Sequence, residues 1–362
     1  VNGRYTAVIV LFLSFLLFCS PVMAGEWVAA GIDQSGLRIT DVAVSGDGTY
    51  GALVGDTGIV MLIADGVECW CIPNGRYRSI SLSGDGDILA AGGDGILVMH
   101  QNTTVLAAIK TRNYVNDIAV TADGSRIAAA VDDETLCIYT TTGTLLQKID
   151  TVDDLISVAF SPDGAYIIGG TAAGNVVLFS GTGEERWRYG LSRRPVTAVA
   201  LAGNAQTIAA VSADGTVALL SRAGSLLWSD SIRRAGGVAV TADGTTVAIG
   251  DQQGIRFVER DGSSAGQITG VDASIAVAMD ESGRTMMLTD GTRIRGFVLK
   301  NTASVEEVPL SEQNPKETIP TITAAETQPH PEDTPTPTGT PFPLFSVAAA
   351  LILSARYVAR RL

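Results

Sequence analysis

One local pattern recurs along most of this chain and constrains what it can fold into. An apolar triplet with a small middle residue is followed by two residues and then a corner built on Asp-Gly. The corner falls at Asp47, Asp85, Asp123, Asp163, Asn204, Asp243 and Ser282, at intervals of 38, 38, 40, 41, 39 and 39 residues. After each corner come a second apolar strand, a Gly/Asp turn and two further strands. A unit of this size cannot bury its apolar face alone, so repeats of four short strands with a period near forty pack against one another in a radial array. The corner has its own logic: Gly accepts positive φ, and Asp or Asn caps the turn with its side chain.

The middle of each triplet is Ala43, Ser81, Ala119, Ala159, Ala200, Ala239 or Ala278. Strand alternation puts these small residues on one face, where only a small side chain lets neighbouring units approach near a crowded axis. The fold class expected is therefore all-β, a seven-bladed β-propeller of four-stranded blades over residues 25–300. The last repeat ends after its third strand, near Lys300, and an orphan strand around Glu26 to Ala30 precedes the first. That N-terminal strand is expected to complete the seventh blade and close the ring, removing an exposed sheet edge.

The two ends read differently. Arg4, the apolar run from Ala7 to Phe18 and the small residues near Ala24 form the three-part pattern of a signal peptide over residues 1–24. Residues 301–341 are crowded with Thr, Pro and Glu and are expected to form a disordered stalk. Residues 342–362 join an apolar run to Arg356, Arg360 and Arg361, the pattern of a C-terminal transmembrane helix with its basic end inside. An exported protein, anchored through this segment at the outer face of the cytoplasmic membrane or cell surface, is the location expected.

A net charge of −13 argues against a nucleic-acid partner, because that binding depends on Lys and Arg neutralising phosphates. Removing the signal peptide leaves Cys69, Cys71 and Cys137, an odd number that favours packed thiols over a disulfide framework. His100 is the one His outside the stalk, so no Ser/His/Asp set can assemble, and no metal-ligand spacing appears. The pairs Asp132-Asp133 and Asp153-Asp154 read as solvated loop tips rather than calcium sites. No cofactor is expected. Asn102-Thr103-Thr104 is a glycosylation sequon.

Val158-Ala159-Phe160 followed by Ser161-Pro162-Asp163-Gly164 resembles the WD-repeat family. Asp214-Gly215-Thr216-Val217 through Leu226-Leu227-Trp228 is similar instead to quinoprotein-type propeller repeats, with Trp70, Trp187 and Trp228 at one place in the fourth strand. Both resemblances imply a propeller, and neither implies an activity, since the Gly-His and Trp-Asp pairs of WD repeats are missing. The Pro-Phe-Pro, apolar run and Arg-rich order of the tail resembles the C-terminal sorting signals of archaeal and bacterial surface proteins, which implies a tail that is cut and replaced by lipid.

The connections from each fourth strand to the next first strand carry Arg76, Arg78, Arg112, Arg193, Arg194, Arg233 and Arg234, with Tyr77 and Tyr114 among them. Two readings stand: a patch for an anionic ligand, with Arg forking and Tyr stacking, or Arg residues that neutralise nearby carboxylates. The function expected is a non-enzymatic binding or scaffold module, a monomeric propeller whose partner is a surface protein or an anionic glycan. A quinoprotein-like or polysaccharide-processing enzyme and a structural envelope component are the alternatives.

Overall fold

A computed structural model of the protein describes residues 25–30, 38–55, 58–63, 68–73, 76–101, 104–273 and 275–301. These form seven four-stranded antiparallel sheets, six from consecutive strands and one composite. After β1 (Gly25–Ala30), blade 1 holds β2 (Ile39–Val44), β3 (Tyr50–Gly55), β4 (Gly58–Ile63) and β5 (Glu68–Pro73). Blade 2 holds β6 (Tyr77–Leu82), β7 (Ile88–Gly93), β8 (Ile96–Gln101) and β9 (Thr104–Lys110). Blade 3 holds β10 (Val115–Val120), β11 (Arg126–Val131), β12 (Thr135–Thr140) and β13 (Leu145–Asp150). Blade 4 holds β14 (Leu155–Phe160), β15 (Tyr166–Thr171), β16 (Asn175–Ser180) and β17 (Glu185–Gly190). Blade 5 holds β18 (Val196–Leu201), β19 (Thr207–Ser212), β20 (Thr216–Ser221) and β21 (Leu226–Ser231). Blade 6 holds β22 (Gly237–Val240), β23 (Thr246–Asp251), β24 (Gly254–Glu259) and β25 (Ser264–Thr269). In blade 7, β26 (Ala276–Met279), β27 (Thr285–Thr289) and β28 (Ile294–Asn301) are joined by β1, which runs antiparallel to β28 from Gly25↔Asn301 to Ala30↔Gly296.

The first strand of each blade packs on that of the next, and β26 packs on both β22 and β2, so the inner strands complete a cycle around an axis. Middle strands lie between two neighbouring blades and are covered on both faces. Their sequences are accordingly continuous apolar runs rather than alternating ones. Ala128, Ala129 and Ala130 of β11 are all fully buried, whereas the outer strand β13 is almost wholly exposed. The core is thus divided among the gaps between blades. One such cluster joins Ala119, Ala128 and Ala130 of blade 3 to Leu155, Val158 and Phe160 of blade 4.

The corners show why their sequence repeats. In blade 1 the Ser45 hydroxyl donates to Asp47 Oδ1 at 2.6 Å, and that oxygen also accepts the Thr49 N–H. Ser83 with Asp85, Thr121 with Asp123, Ser161 with Asp163 and Thr241 with Asp243 repeat the bond. The residue after the Asp is a Gly at positive φ, 75° at Gly48, and in blade 5 Ala205 adopts 53° in its place. Blade 7 exchanges the partners: Ser282 donates back to Asp280, which accepts the N–H groups of Arg284 and Thr285. Corners also bond to one another. Asp47 N donates to Gly84 O, Gly84 N to Ala122 O, and Ala122 N to Pro162 O; Asn204 N then donates to Ala242 O, Ala242 N to Glu281 O, and Glu281 N to Gly46 O. The chain of bonds is interrupted after Pro162, which has no N–H to give.

Several expectations require correction. Among the described residues there is no helix, and none long and apolar enough to cross a membrane. The C-terminal transmembrane helix, and the membrane anchoring and outer-face location that followed from it, therefore have no support; residues 342–362 lie outside the described residues. So do the signal peptide, nearly all of the stalk, and Asn102. The likeness to WD and quinoprotein repeats is a loose one. Trp70, Trp187 and Trp228 do share a register opposite Met61, Leu178 and Leu219. At the same register the other outer strands carry Ala107, Gln147, Gly266 and, in β1, Ala30, so the quinoprotein-like feature is confined to three blades.

Candidate binding site

Chain direction places two sets of connections at one end of the ring, those from fourth to first strands and those from second to third. At this end the channel opens into a cavity of about 990 Å³, whose wall is formed by the beginnings of the inner strands. One register dominates that wall. Two residues before the small residue of each triplet stand Asp41, Ser79, Asp117 and Ser157 in blades 1 to 4, then Ala198, Gly237 and Ala276 in blades 5 to 7.

The backbone explains how the polar four work. A β-bulge immediately precedes each of them, between Ile39 and Asp41, Tyr77 and Ser79, Val115 and Asp117, and Leu155 and Ser157. A bulge takes one residue out of the ladder and frees backbone groups to bond elsewhere. Here the next N–H reaches to the preceding blade. Ile80 N donates to Asp41 Oδ2 at 3.0 Å, Ile118 N to Ser79 Oγ at 3.2 Å, Val158 N to Asp117 Oδ2 at 2.7 Å, and Val199 N to Ser157 Oγ at 3.2 Å. Val42 follows Ala276, which has no side-chain oxygen to offer, and its N–H donates to Asp41 Oδ1 of its own blade, as Ile118 N also does to Asp117 Oδ1. Asn116 adds a further link, donating to Asp132 Oδ1 and to Leu155 O of the following blade.

Ser79 also donates to Asp117 Oδ1 at 2.6 Å. Burial, then the charge of Asp117, push Asp41 up to about 7. Burial likewise raises Asp117, against the hydrogen bonds from Ser79 and from the N–H groups of Val158 and Ile118.

The Arg residues singled out in the sequence encircle this opening in part. Arg78 lines the cavity, as does Arg38, which the sequence reading did not select. Arg76, Arg112, Arg193, Arg194, Arg233 and Arg234 are exposed on the loops outside it. Ser192 anchors its loop through hydrogen bonds to Asp214 Oδ2 and from Arg194 N, and Arg234 has a positive φ of 57°. None of the seven forms an ion pair within the described residues, where Arg186, Arg188 and Arg256 do. Tyr114 is 48% exposed; its hydroxyl is raised by a hydrogen bond to Asp94 and by that carboxylate's charge, with Arg76 and Arg78 acting oppositely. Tyr77 is elsewhere: its ring is buried with Ala43, Ala52 and Val54 between blades 1 and 2, away from any ligand.

Cys137 is buried in the blade 3 core, where loss of solvent raises its thiol. No group of three or more His, Cys, Asp and Glu among the described residues is arranged to hold a metal ion. The Asp41–Ser79–Asp117–Ser157 arc escaped sequence reading, although its signal was present at a fixed offset from the triplet.

No family model matches the chain. It is similar to actin-interacting protein 1 of Drosophila melanogaster, 28% identical over 156 residues, which is 41% of this chain and 25% of that protein. The similarity is confined to a quarter of the relative and supplies no family membership.

Proposed function

We propose that the chain is a non-enzymatic binding module that takes an anionic partner on the channel-mouth end. The observation that carries this reading is the set of seven exposed Arg side chains on one end of an acidic protein, none of them in an ion pair among the described residues. Keeping so many like charges together around a concave opening costs Coulomb energy. Asp94, Asp214 and Asp290 lie at the same end and offset part of it without pairing with any of the seven, and a bound anion offsets more. Arg is suited to the task because its planar fork matches carboxylate and sulfate oxygens. Asp41 and Asp117 in the channel wall each accept an N–H bond from the following blade, which suits a rigid ring rather than proton-transfer chemistry. The Drosophila relative is named for interacting with actin, which favours a protein as the class of partner.

The test is binding of the full chain to arrays of acidic peptides and sulfated or uronic glycans, beside a variant with Arg193, Arg194, Arg233 and Arg234 changed to Ser. Binding that weakens with salt and is largely lost in the variant supports the reading. Binding that the four changes leave intact would falsify it.

A further inference from the structure

The reading of the mouth as an anion site leaves open what regulates it, and the channel wall directly within that mouth supplies a candidate. Resting on that reading, we infer that the Asp41–Ser79–Asp117 bridge is a proton-operated latch that sets how strongly the Arg-bearing mouth holds an anion.

Ser79 Oγ has a single hydrogen, and it is given to Asp117 Oδ1. Asp41 lines the same cavity wall and interacts with the Ser79 side chain, while its Oδ1 accepts the Val42 N–H and its Oδ2 the Ile80 N–H. Ser79 is only 2% exposed, and Asp41 and Asp117 are half-buried in the cavity wall, so solvent screens the two carboxyls only in part. Two carboxylates around one donor are held at low cost only when one of them carries a proton. The elevated titration of Asp41 agrees with that assignment.

The surroundings make the latch specific. Besides the pair, the ionisable groups lining the same cavity are Arg38, Arg78 and Asp290. Among the strands packed on β2, β6 contributes Tyr77 in the core and Arg78 in the cavity; β26 and β27 carry no ionisable side chain, and β3 has only Tyr50, at its far end. The one His among the described residues, His100, is buried in β8, and burial moves its titration down. Loss of the Asp41 proton therefore adds a negative charge below Arg38 and Arg78 in a pH range where little else nearby changes. The cationic field of the mouth weakens, and an anion held there is released.

The linkage sign follows from the two titration points of Asp41. Its ordinary value is 3.8 and its folded value about 7, so the folded chain keeps a proton that the unfolded chain has already lost. The associated stability is full below 3.8 and is lost as pH rises to about 7. His100 acts with the opposite sign, so the difference between wild type and Asp41→Asn isolates the latch.

The experiment uses the full chain and Asp41→Asn, with fluorescent dextran sulfate as a probe whose charge is constant across the range. Affinity is measured from pH 5.5 to 8.5 at fixed ionic strength, and thermal midpoints are measured in the same buffers. The expected result is a several-fold fall in wild-type affinity between about pH 6 and 8 and a much flatter profile in Asp41→Asn. The midpoint of wild type relative to the variant should fall up to about pH 7 and then level. A flat wild-type affinity, or an equal slope in the variant, overturns the inference. A midpoint difference that does not move overturns the latch while leaving the anion site standing. No binding at pH 6 by either protein, with the midpoint difference intact, defeats the anion site and the coupling built on it.

Discussion

At the register facing the channel, four consecutive blades carry Asp41, Ser79, Asp117 and Ser157, and the next three carry Ala198, Gly237 and Ala276. The two arcs meet the same demand, bringing inner strands together around an axis, by different means. The polar arc joins blades through side-chain oxygens and displaced N–H groups, and shares its six-residue inner strands and their bulges with blade 5. In blades 6 and 7 the inner strands shorten to four residues, and contact depends on the absence of side chains. A Cβ added to Gly237 would lie 2.5 Å from Val277 N. The difference teaches that one half of the ring is specified by directional bonds and the other by close approach. Mutations should therefore act in opposite ways on the two halves.

The largest effect is expected from removing residues 25–30, which takes β1 from the composite blade and leaves the β28 edge open beside the small-residue arc. A loss on the order of 5 kcal/mol would consume much of the stability of an ordinary domain. Denaturant unfolding should then lose its single transition, and hydrogen exchange should be fastest in blades 6 and 7. Next, Asp117→Ala leaves the N–H groups of Ile118 and Val158 and the Ser79 hydroxyl without that acceptor, at a cost of about 3 kcal/mol. At the matching position of the other arc, Ala198→Gly should cost under about 1 kcal/mol. Equal losses in urea titrations would erase the contrast between the arcs.

Gly237→Ala sharpens it from the other side. The added methyl group meets Val277 N, and a cost of about 2 kcal/mol is expected from overpacking. The same midpoint as wild type would show that blades 6 and 7 have room to spare. The smallest effect is expected at the break in the corner bonds. Pro162→Ala restores an N–H that can reach blade 5 and should change stability by less than about 1 kcal/mol, because the gained bond is offset by a more flexible unfolded chain. Exchange of the blade 5 corner amides, read by mass spectrometry, should slow if that bond forms.

Acid titration supplies an independent check on the corners. The Ser83 hydroxyl and the Asp87 N–H hold Asp85 below its ordinary 3.8, and Thr121 and Ser161 do the same for Asp123 and Asp163. A depressed carboxylate contributes stability above its unfolded value and loses it as pH falls through the folded one. Ser83→Ala should therefore lower stability at neutral pH and flatten the acid limb below pH 4, as followed by circular dichroism.

The corners were legible because their chemistry is local. The Asp and the Gly after it stand within one turn and were read from the sequence; the hydroxyl two residues earlier, at Ser45, Ser83, Thr121, Ser161 and Thr241, closes the same set of bonds and was not read, and blade 5 has Ala202 in its place. Even the exception at Ser282 keeps both partners, with Asp280 and Ser282 exchanged. The small residues at the axis were legible through strand alternation. The polar arc was hidden because its bonds run between blades: Asp41 meets Ile80 across 39 positions and Asp117 meets Val158 across 41. Tyr77 was misplaced for a related reason, since adjacency to Arg76 and Arg78 in sequence puts its side chain on the opposite face of the strand. Arg38 was overlooked because it stands alone in its loop, and only the cavity brings it beside Arg78.

Hydrogen-exchange footprinting of the full chain, with and without a bound acidic peptide or dextran sulfate, tests the anion-binding mouth most directly. Protection confined to the loops around Arg76–Arg78, Arg193–Arg194 and Arg233–Arg234 is the predicted result. Protection at the opposite corners around Asp47, Asp85 and Asp123, or none at any loop while the ligand is bound, would contradict it.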